Sequence, residues 1–390
     1  MTPNPKSPIR VLYVVQVFYP SQGGGPANSV YWVAKHIDKA KVLPIIVSGD
    51  KGLDPSVERD MWASSEAGAV IYVRNRVERM SLRQTWVALK KLPGVDAINL
   101  SSLFYPPSLF IGIAARLLGK KILWSTRGEV DGPAFNISGR RKKAIVVSLF
   151  KLFFGRRVLF HSTSDSETRN IRKKFGAHAR VVEIPNYIEL PLEVETAPGN
   201  YCLYIGRIHE KKGIEKLLRA LLISTGFWAS GLHLKIAGVG QRGFEDKIRS
   251  LVVELELQDR VEFLGQVVGA AKQELLAAAR FTIMPSEAEN FGLVVLESLA
   301  QNTPVIASTG TPWASLGEEK VGLWVDNSPE SLALAIDNML SLDGDEYKRY
   351  RLRAREFVEQ RFAIADHIDE WHEAYDLLFD DRDERSTRSA

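Results

Sequence analysis

The sequence has almost no cysteine and no long apolar segment, and each of these absences excludes a class of protein. Its 390 residues include one cysteine, Cys202, so an internal disulfide is excluded and a reducing compartment is expected. No stretch reaches the roughly 18 apolar residues of a membrane span, and residues 1–8 lack an apolar leader segment. We therefore expect a cytoplasmic protein, either soluble or bound peripherally to the cytoplasmic face of a membrane.

Clusters of metal-binding side chains are missing as well. The seven histidines are scattered along the chain. The acidic pair Asp343 and Asp345 lies between two predicted helices, where a helix cap is expected. We predict that the protein binds no metal and no cofactor.

Net positive charge is found only in the first half of the chain. Residues 1–190 contain 29 Lys and Arg against 14 Asp and Glu, whereas residues 191–390 contain 22 against 33. This asymmetry predicts an anionic partner for the first half, and we do not expect that partner to be a nucleic acid.

Short apolar runs alternate with helical stretches throughout the first half, which predicts a parallel sheet covered by helices. The first run, Ile9–Val15, is followed by a loop with glycines at positions 23–25 and by a helix predicted to begin near Asn28. Such a turn either lets the backbone approach a phosphate or a sugar, or is a plain flexible loop.

Two later segments of the first half carry charge next to predicted strands. The loop after the strand at residues 121–125 contains Arg127, Glu129 and Asp131, which are candidate site residues or ordinary surface charges. In segment 139–157, basic clusters flank an apolar, phenylalanine-rich centre. This segment either lies on an anionic membrane surface or packs on its own domain as an ordinary helix.

Two further features are predicted to be structural only. Ser164 and Glu167 have the spacing of a helix capping box. The acidic, proline-containing stretch 189–200 is predicted to link two domains.

The second half repeats the pattern of strand, loop and helix. After the strand Tyr201–Ile205, a loop contains Arg207 and Lys212 at the edge where open α/β sheets bind ligands. A guanidinium group matches phosphate oxygens with its planar fork and an ammonium group adds a point charge, so the pair suits a diphosphate.

Residues 238–243 form a literal G-x-G-x-x-G sequence, which in other contexts marks a dinucleotide site. The acid that such a site needs at the end of the next strand is missing, because Glu262 lies near the start of the run 261–265. A nicotinamide or flavin site is therefore disfavoured.

Residues 285–297 combine an acidic loop with the start of a helix. A buried strand ends just before this segment, and apolar residues from Phe291 onward predict the helix. The amide groups near Gly292 favour an anion, yet Glu289 and Glu297 stand on either side of them. Two acids beside a phosphate site predict hydroxyl groups as their partners.

Together these motifs resemble those of the retaining nucleotide-sugar glycosyltransferases of family 4. The resemblance is specific over about 110 residues of the second half and weaker in the first half. Many members of that family have a histidine where this chain has Arg127. In the second half the motifs are Gly206-Arg207 with Lys212-Gly213, the glycines at 238 and 240, Phe263-Leu-Gly265, and Pro-Ser-x-x-Glu-x-Phe-Gly-Leu-Val-Val-Leu-Glu with Glu289 and Glu297. In the first half they are the glycines at 23–25, Ser125-Thr-Arg-Gly128, Ser164-x-x-Glu167 and Ile184-Pro-Asn186.

The resemblance implies a GT-B fold, an α/β architecture with two Rossmann-like β/α/β domains that face each other across a cleft, where the active site lies. An N-terminal acceptor-binding domain is expected at 1–190 and a C-terminal donor-binding domain at 191–365. A helix at 366–380 is expected to return to the N-terminal domain, followed by a frayed tail at 381–390.

The resemblance also implies roles for individual residues. Arg207 and Lys212 would neutralise the donor diphosphate, Glu289 would contact hydroxyls of the transferred sugar, and Glu297 would accept hydrogen bonds from the ribose. The expected catalytic residues are Glu289, Arg207 and Lys212. The expected donor-binding residues are Gly206, Gly240, Asn290, Phe291, Gly292, Leu293 and Glu297. The expected acceptor or phosphate loops contain Gly23, Gly24, Gly25, Arg127 and Asp131.

The implied activity is a metal-independent transfer of a sugar, with retention of configuration, from a UDP- or GDP-sugar to a hydroxyl group. The expected acceptor is a sugar or a lipid-linked glycan, in the synthesis of a cell-surface polysaccharide or glycolipid. Two alternatives stay open: a nucleotide-sugar epimerase or hydrolase of the same fold, and a non-catalytic nucleotide-sugar-binding protein.

Overall fold

The alternation of apolar runs with amphipathic stretches produces two parallel sheets, one in each of two units. The computed structural model describes residues 7–21, 24–75, 81–130, 140–240 and 242–380, with the side chains of all of these except residues 140–144, 156 and 242. One unit contains the chain up to Tyr187 and again from Ile364, and the other is Ile188–Ala363. Among the described residues, no helix is both long and apolar enough to span a bilayer.

The first unit contains an eight-stranded sheet with the order β3-β4-β2-β1-β5-β6-β7-β8, in which β3 pairs antiparallel with β4 and the other described pairs are parallel. Its strands are β1 Ile9–Val15, β2 Val42–Gly49, β3 Trp62–Ser65, β4 Gly68–Val73, β5 Ala97–Ser101, β6 Lys121–Ser125, β7 Val158–Ser162 and β8 Arg180–Glu183.

The strand order places the helices of this unit on two faces. From β1, the next strand in sequence, β2, is added on one side of the sheet. From β4 onward, the strands β5, β6, β7 and β8 are added successively toward the opposite edge. Right-handed crossovers therefore put helix Gly25–His36 on one face and a layer of four helices on the other. The four helices of this layer are Leu82–Lys91, Pro106–Leu117, Arg140–Phe154 and Asp165–Phe175.

The core under the four-helix layer is rich in aromatic rings. Trp124 of β6 packs edge-on against Phe150 and Phe154 of the third helix, and Phe150 also contacts Phe160 of β7. All four side chains are almost completely buried. Segment 139–157 thus includes a helix whose inner side belongs to the core of its own unit.

Helix Asp369–Phe379, near the end of the chain, also belongs to the first unit. The hydroxyl group of Tyr375 forms a buried hydrogen bond with the hydroxyl group of Tyr13 on β1, and it accepts a hydrogen bond of 3.2 Å from the amide group of Asn99 on β5. This helix therefore covers the central strands β1 and β5.

The second unit contains a six-stranded parallel sheet with the order β11-β10-β9-β12-β13-β14. Its strands are β9 Tyr201–Ile205, β10 His233–Ala237, β11 Val261–Gly265, β12 Phe281–Met284, β13 Val305–Ser308 and β14 Gly322–Val325. Its helices are Ile214–Ile223, Thr225–Ser230, Arg242–Glu254, Gly269–Ala277, Leu293–Leu299, Ser315–Glu318, Pro329–Ser341 and Gly344–Phe362. The strand order reverses between β9 and β12, which makes the loops after these two strands the expected borders of a ligand crevice.

Some element limits differ from those predicted. The helix expected near Asn28 begins at Gly25. Pro26 lies in its first turn, where the fixed φ of proline is compatible with the helix. The helix expected from Phe291 begins at Leu293, because Gly292 has the left-handed φ of 83° and interrupts it. Strand β3 was not predicted, since its four residues are all exposed and lack apolar alternation.

The first glycine of the G-x-G-x-x-G sequence is required by a close approach of two backbones. Gly238 has a φ of 144°, and a Cβ atom at this position would overlap the carbonyl oxygen of Gly206 in the loop after β9. Gly243, the last glycine of the sequence, lies in a helix, and a Cβ atom there would meet nothing within 4 Å. The first of the three glycines therefore serves the packing of two loops.

We predict opposite effects for alanine at these two glycines. Gly238→Ala should lower the free energy of unfolding by about 3 kcal/mol or more, because both the overlap and the backbone angle are unfavourable. Gly243→Ala should leave it unchanged or raise it by up to about 1 kcal/mol, since alanine is favoured over glycine in helices. Urea unfolding of both variants measures the difference, and equal stabilities would contradict the prediction.

Candidate active site

The loops after β9 and β12, which border the reversal of strand order, pack directly against each other. Gly213 has a left-handed φ of 67° and lies so close to Pro285 that a Cβ atom would overlap the Pro285 carbonyl oxygen. The amide group of Glu287 donates a hydrogen bond of 2.8 Å to the carbonyl oxygen of Lys211. Basic residues of one loop are therefore held beside acidic residues of the other.

Lys212 is presented by a short 3-10 turn, Glu210–Lys212, in the loop after β9. The turn is capped by His209, whose Nδ1 atom accepts a hydrogen bond of 3.2 Å from the amide group of Lys211. Burial, followed by the positive charge of Arg207, lowers the pKa of His209, which favours the neutral ring that this cap needs. The capping role of His209 was not predicted from the sequence.

Glu289 is fixed from three sides. Its carboxylate forms an ion pair with the ammonium group of Lys212 and accepts a hydrogen bond of 3.0 Å from the hydroxyl group of Ser286. Its backbone amide donates a hydrogen bond of 2.8 Å to the carbonyl oxygen of Gly310. The side chains of Lys212 and Glu289 are 21% and 15% exposed, so the pair is largely buried and keeps a small exposed surface.

The start of helix Leu293–Leu299 is set by Gly292 and braced by an aromatic pair. A Cβ atom on Gly292 would lie 2.9 Å from the sulfur atom of Met284, so the position requires glycine for space as well as for its φ. The ring of Phe291 packs edge-on against Trp313, and the indole group of Trp313 donates a hydrogen bond of 2.5 Å to the carbonyl oxygen of Phe291. The first amide groups of the helix have no acceptor within it, as at any helix start.

Glu297 has a partner that the sequence did not reveal. Its Oε2 atom lies 2.6 Å from the Nζ atom of Lys272 on helix Gly269–Ala277, and both side chains are largely buried. Lys272 stands 25 positions earlier in the chain, and no pattern in its neighbourhood marks it as the partner of an acid. A carboxylate paired on one oxygen retains acceptor positions on the other.

The predicted donor-site residues are gathered in one unit. Gly206, Arg207 and Lys212 lie in the loop after β9, Gly240 lies in the loop after β10, and Asn290, Phe291, Gly292, Leu293 and Glu297 lie between β12 and the end of the following helix. The loops after β9 and β10 are joined by a parallel bridge between Ile208 and Gly240.

In the first unit, Arg127 lies at a small cavity with room for about one water molecule. It has a φ of 53°, which is unusual for arginine. Its Nη1 atom donates hydrogen bonds to the Oγ atom of Ser29, at 3.2 Å, and to the Oδ1 atom of Asn186, at 3.4 Å. Its Nε atom is buried without an acceptor, and burial lowers the pKa of the guanidinium group. Such a group favours an anionic or hydroxyl-bearing ligand.

The loop that carries Arg127 is held by Glu167. One carboxylate oxygen accepts hydrogen bonds of 2.6 Å from the hydroxyl group of Thr126 and from the amide group of Gly128. The other accepts from the amide and the hydroxyl group of Thr163. Ser164 caps the helix as predicted, by accepting from the amide of Glu167 at 3.3 Å. Ser164 is thus the cap, and the side chain of Glu167 shapes the neighbouring loop.

Of the other residues predicted for the first unit, the structure describes Glu129, Gly24 and Gly25. Glu129 accepts hydrogen bonds from the hydroxyl group of Ser102 and from the amide groups of Leu103 and Phe104, so it holds the loop after β5. Gly24 caps helix Gly25–His36, whose first residue is Gly25. Gly23 and Asp131 lie outside the described residues.

A buried histidine lies beside the Arg127 loop. The Nε2 atom of His161 donates a hydrogen bond of 2.9 Å to the carbonyl oxygen of Ile184, so its Nδ1 atom is the acceptor for the hydroxyl group of Ser125, also at 2.9 Å. Burial, together with the positive charge of Arg127, lowers the pKa of His161 to about 4. The folded protein therefore holds a neutral imidazole here.

Metal ligands do not converge in the part of the chain that the structure describes, where no three His, Cys, Asp or Glu side chains could hold an ion together. The prediction that the protein needs no metal stays a prediction.

Comparison with known proteins gives a match to one family. Residues 193–357 match the family described as glycosyl transferases group 1. An uncharacterized glycosyltransferase of Methanocaldococcus jannaschii is 36% identical over 141 residues, which cover 36% of this chain and 35% of that protein. The GDP-mannose:cellobiosyl-diphosphopolyprenol alpha-mannosyltransferase of Xanthomonas oryzae is 23% identical over 94% of this chain and 97% of its own length.

Solved structures show the same fold. The Anabaena protein HepE, solved in complex with UDP and glucose, superposes with a TM-score of 0.72 at 16% identity, over 94% of this chain and 99% of that one. The predicted α/β architecture with two Rossmann-like domains of the GT-B type is confirmed. Residues 193–357, which lie in the second unit, match the group 1 glycosyltransferase family, and the prediction of a glycosyltransferase is confirmed at this coarser level.

We predict that His161 makes the stability of the protein depend on pH. The pKa is about 4 in the folded protein and about 6.5 in an unfolded chain, so the unfolded chain binds more protons between these values. The free energy of unfolding should fall by up to about 1.4 kcal/mol per unit as the pH is lowered through this window. In His161→Gln, which can keep both hydrogen bonds without a titrating ring, this contribution should vanish. Urea unfolding at several pH values tests the prediction, and equal slopes for the two proteins would contradict it.

Proposed function

We propose that this protein is a retaining glycosyltransferase of family 4, which transfers a sugar from a UDP- or GDP-sugar to a hydroxyl group of an acceptor. The observation that carries the proposal is the Lys212–Glu289 ion pair, placed where the strand order of a group 1 glycosyltransferase domain reverses. An ammonium group next to a carboxylate suits a ligand that has a diphosphate on one side and sugar hydroxyls on the other.

The donor is proposed to be held by three groups. Arg207 and Lys212 neutralise the diphosphate and the charge that develops on it as the sugar–phosphate bond breaks. The amide groups at the helix start near Gly292 contact the same phosphates. Glu289 accepts hydrogen bonds from hydroxyls of the transferred sugar, and Glu297 accepts them from the ribose.

The accessibility of the ion pair supports this assignment. Lys212 and Glu289 neutralise each other, which offsets part of the cost of burying two charges. When a diphosphate approaches, the ammonium group can contact it and remain beside the carboxylate. Glu289 is then still oriented by Ser286, and its carboxylate can accept hydrogen bonds from hydroxyl groups.

The transfer is proposed to proceed with retention and without a metal or a covalent intermediate. The departing phosphate oxygen takes the proton from the acceptor hydroxyl on the same face of the sugar. In this chain, Arg207 and Lys212 supply the positive charge that a metal would otherwise bring.

The acceptor is proposed to be a sugar or a lipid-linked glycan, in the synthesis of a cell-surface polysaccharide or glycolipid on the cytoplasmic face of a membrane. The name of the Xanthomonas oryzae relative describes a sugar acceptor joined to a diphosphopolyprenol lipid. The excess of Lys and Arg in residues 1–190 agrees with an anionic acceptor or surface.

We predict that Lys212→Met and Glu289→Gln each lower kcat by about 100-fold to 1,000-fold, since both groups act on charge or orientation in the transition state. Product analysis with a panel of labelled UDP- and GDP-sugars, with and without acceptor, measures the effect and separates transfer from hydrolysis and epimerisation. Circular dichroism should show both variants folded.

The matched controls for these variants are Lys216→Met and Glu287→Gln. These two residues form an ion pair of 2.6 Å between helix Ile214–Ile223 and the loop after β12, but their side chains are 38% and 45% exposed. Both controls should keep turnover within about twofold of the wild type, as expected for an exposed pair. Near-normal turnover in Lys212→Met or Glu289→Gln would remove the basis for the proposed function.

We predict that Glu297→Gln weakens the binding of UDP or GDP by about tenfold, because a charged acceptor of ribose hydroxyls is lost. The wild type should bind the corresponding 2′,3′-dideoxy nucleotide about tenfold more weakly, whereas Glu297→Gln should bind both nucleotides alike. Calorimetry measures all four affinities, and Glu262→Gln, a change in an exposed acid on β11, is the control. An equal preference for the ribose form in both proteins would exclude this role.

A further inference from the structure

The four-helix layer of the first unit presents apolar side chains to solvent. Its first three helices, Leu82–Lys91, Pro106–Leu117 and Arg140–Phe154, lie side by side, and each contacts the next. We call the outward side of these three helices, with Leu118 directly after the second, the helix face. It carries ten of the 25 large apolar side chains that are exposed among the described residues. The most exposed are Leu117 at 81%, Leu152 at 75% and Leu82 at 71%.

The exposed apolar residues follow the helical repeat. Leu82, Trp86 and Leu89 stand at positions i, i+4 and i+7 of the first helix, and Ile145, Leu149 and Leu152 repeat this spacing in the third. The same helices bury a separate stripe against the sheet, which includes Ala88 in the first and Phe150 in the third. A helix that only covers a core needs one apolar stripe, and these two helices have a second stripe toward solvent.

The three helices contribute charge of one sign to the helix face, and Asp60, which lies outside these helices, pairs with Arg83. The three helix sequences contain nine lysines and arginines and neither aspartate nor glutamate. Basic and apolar groups are interleaved, as where the ammonium group of Lys90 lies 3.4 Å from the centre of the Trp86 ring. Long basic side chains can extend past buried apolar neighbours and keep their charge at a polar boundary.

We propose that the helix face binds the surface of an anionic lipid bilayer. Its apolar side chains would enter the boundary between headgroups and acyl chains, while its lysines and arginines contact lipid phosphates. A second copy of this chain is disfavoured as the occupant, because two such faces would bring like charges together. The proposal deepens the proposed function, on which its biological meaning rests, because a lipid-linked acceptor is found at such a surface.

The test is flotation of the full chain with vesicles. Wild-type protein should bind mixed phosphatidylglycerol–phosphatidylcholine vesicles and should bind pure phosphatidylcholine vesicles about tenfold or more weakly. Trp86→Ser/Leu152→Ser and Lys90→Gln/Lys91→Gln should each lower the partition coefficient for the mixed vesicles by about tenfold or more. The control variants Leu334→Ser and Lys348→Gln/Arg349→Gln change exposed residues of the second unit and should bind as the wild type does.

Binding of UDP and GDP, measured on the same preparations by calorimetry, separates this proposal from the proposed function. Variants of the helix face should keep wild-type nucleotide affinity, which also shows that they are folded. Equal vesicle binding by wild type and helix-face variants, or no binding by the wild type, would overturn the membrane proposal and leave the donor site untouched. A concentration-dependent dimer that the helix-face variants abolish would likewise overturn it. Absence of nucleotide binding with vesicle binding intact would count only against the proposed function.

Discussion

The ion pair between Lys212 and Glu289 joins the loops after β9 and β12 of the second unit. Removing two charges from water is costly, and the structure offsets this cost with the hydroxyl group of Ser286 and with partial exposure. Gly213 and Pro285 bring the two backbones into direct contact beside this pair. The packing of the two loops therefore holds the two opposite charges together and leaves part of the pair exposed.

Much of the second unit follows from its sequence, since its strands are apolar runs and its site loops follow strands directly. The loop residues Arg207, Lys212 and Glu289 could be predicted to share one edge of the sheet, because parallel strands all end there. The partnership of Lys272 with Glu297 could not, because it joins two helices whose relative placement depends on packing. The edge strand β3 could not be predicted either, because its four exposed residues show no alternation of apolar and polar side chains.

Segment 139–157 shows why two interpretations of a sequence need not exclude each other. An apolar, basic helix was expected either to pack on its own domain or to face a membrane. The helix Arg140–Phe154 buries Phe150 and Phe154 in the core, and it exposes Leu149 and Leu152. Composition alone could not separate these stripes, because nearly all of the helix is either apolar or basic. The position of the sheet decides which stripe is inside.

Glu167 fixes the backbone around Arg127 through its hydrogen bonds to Thr126 and Gly128, and its negative charge acts on the guanidinium group at that position. These hydrogen bonds are made by the two neighbours of residue 127. The left-handed φ there is also easier for histidine or asparagine than for arginine. An exchange of residue 127 would therefore leave the hydrogen bonds of Glu167 in place and would change the polar group that borders the cavity.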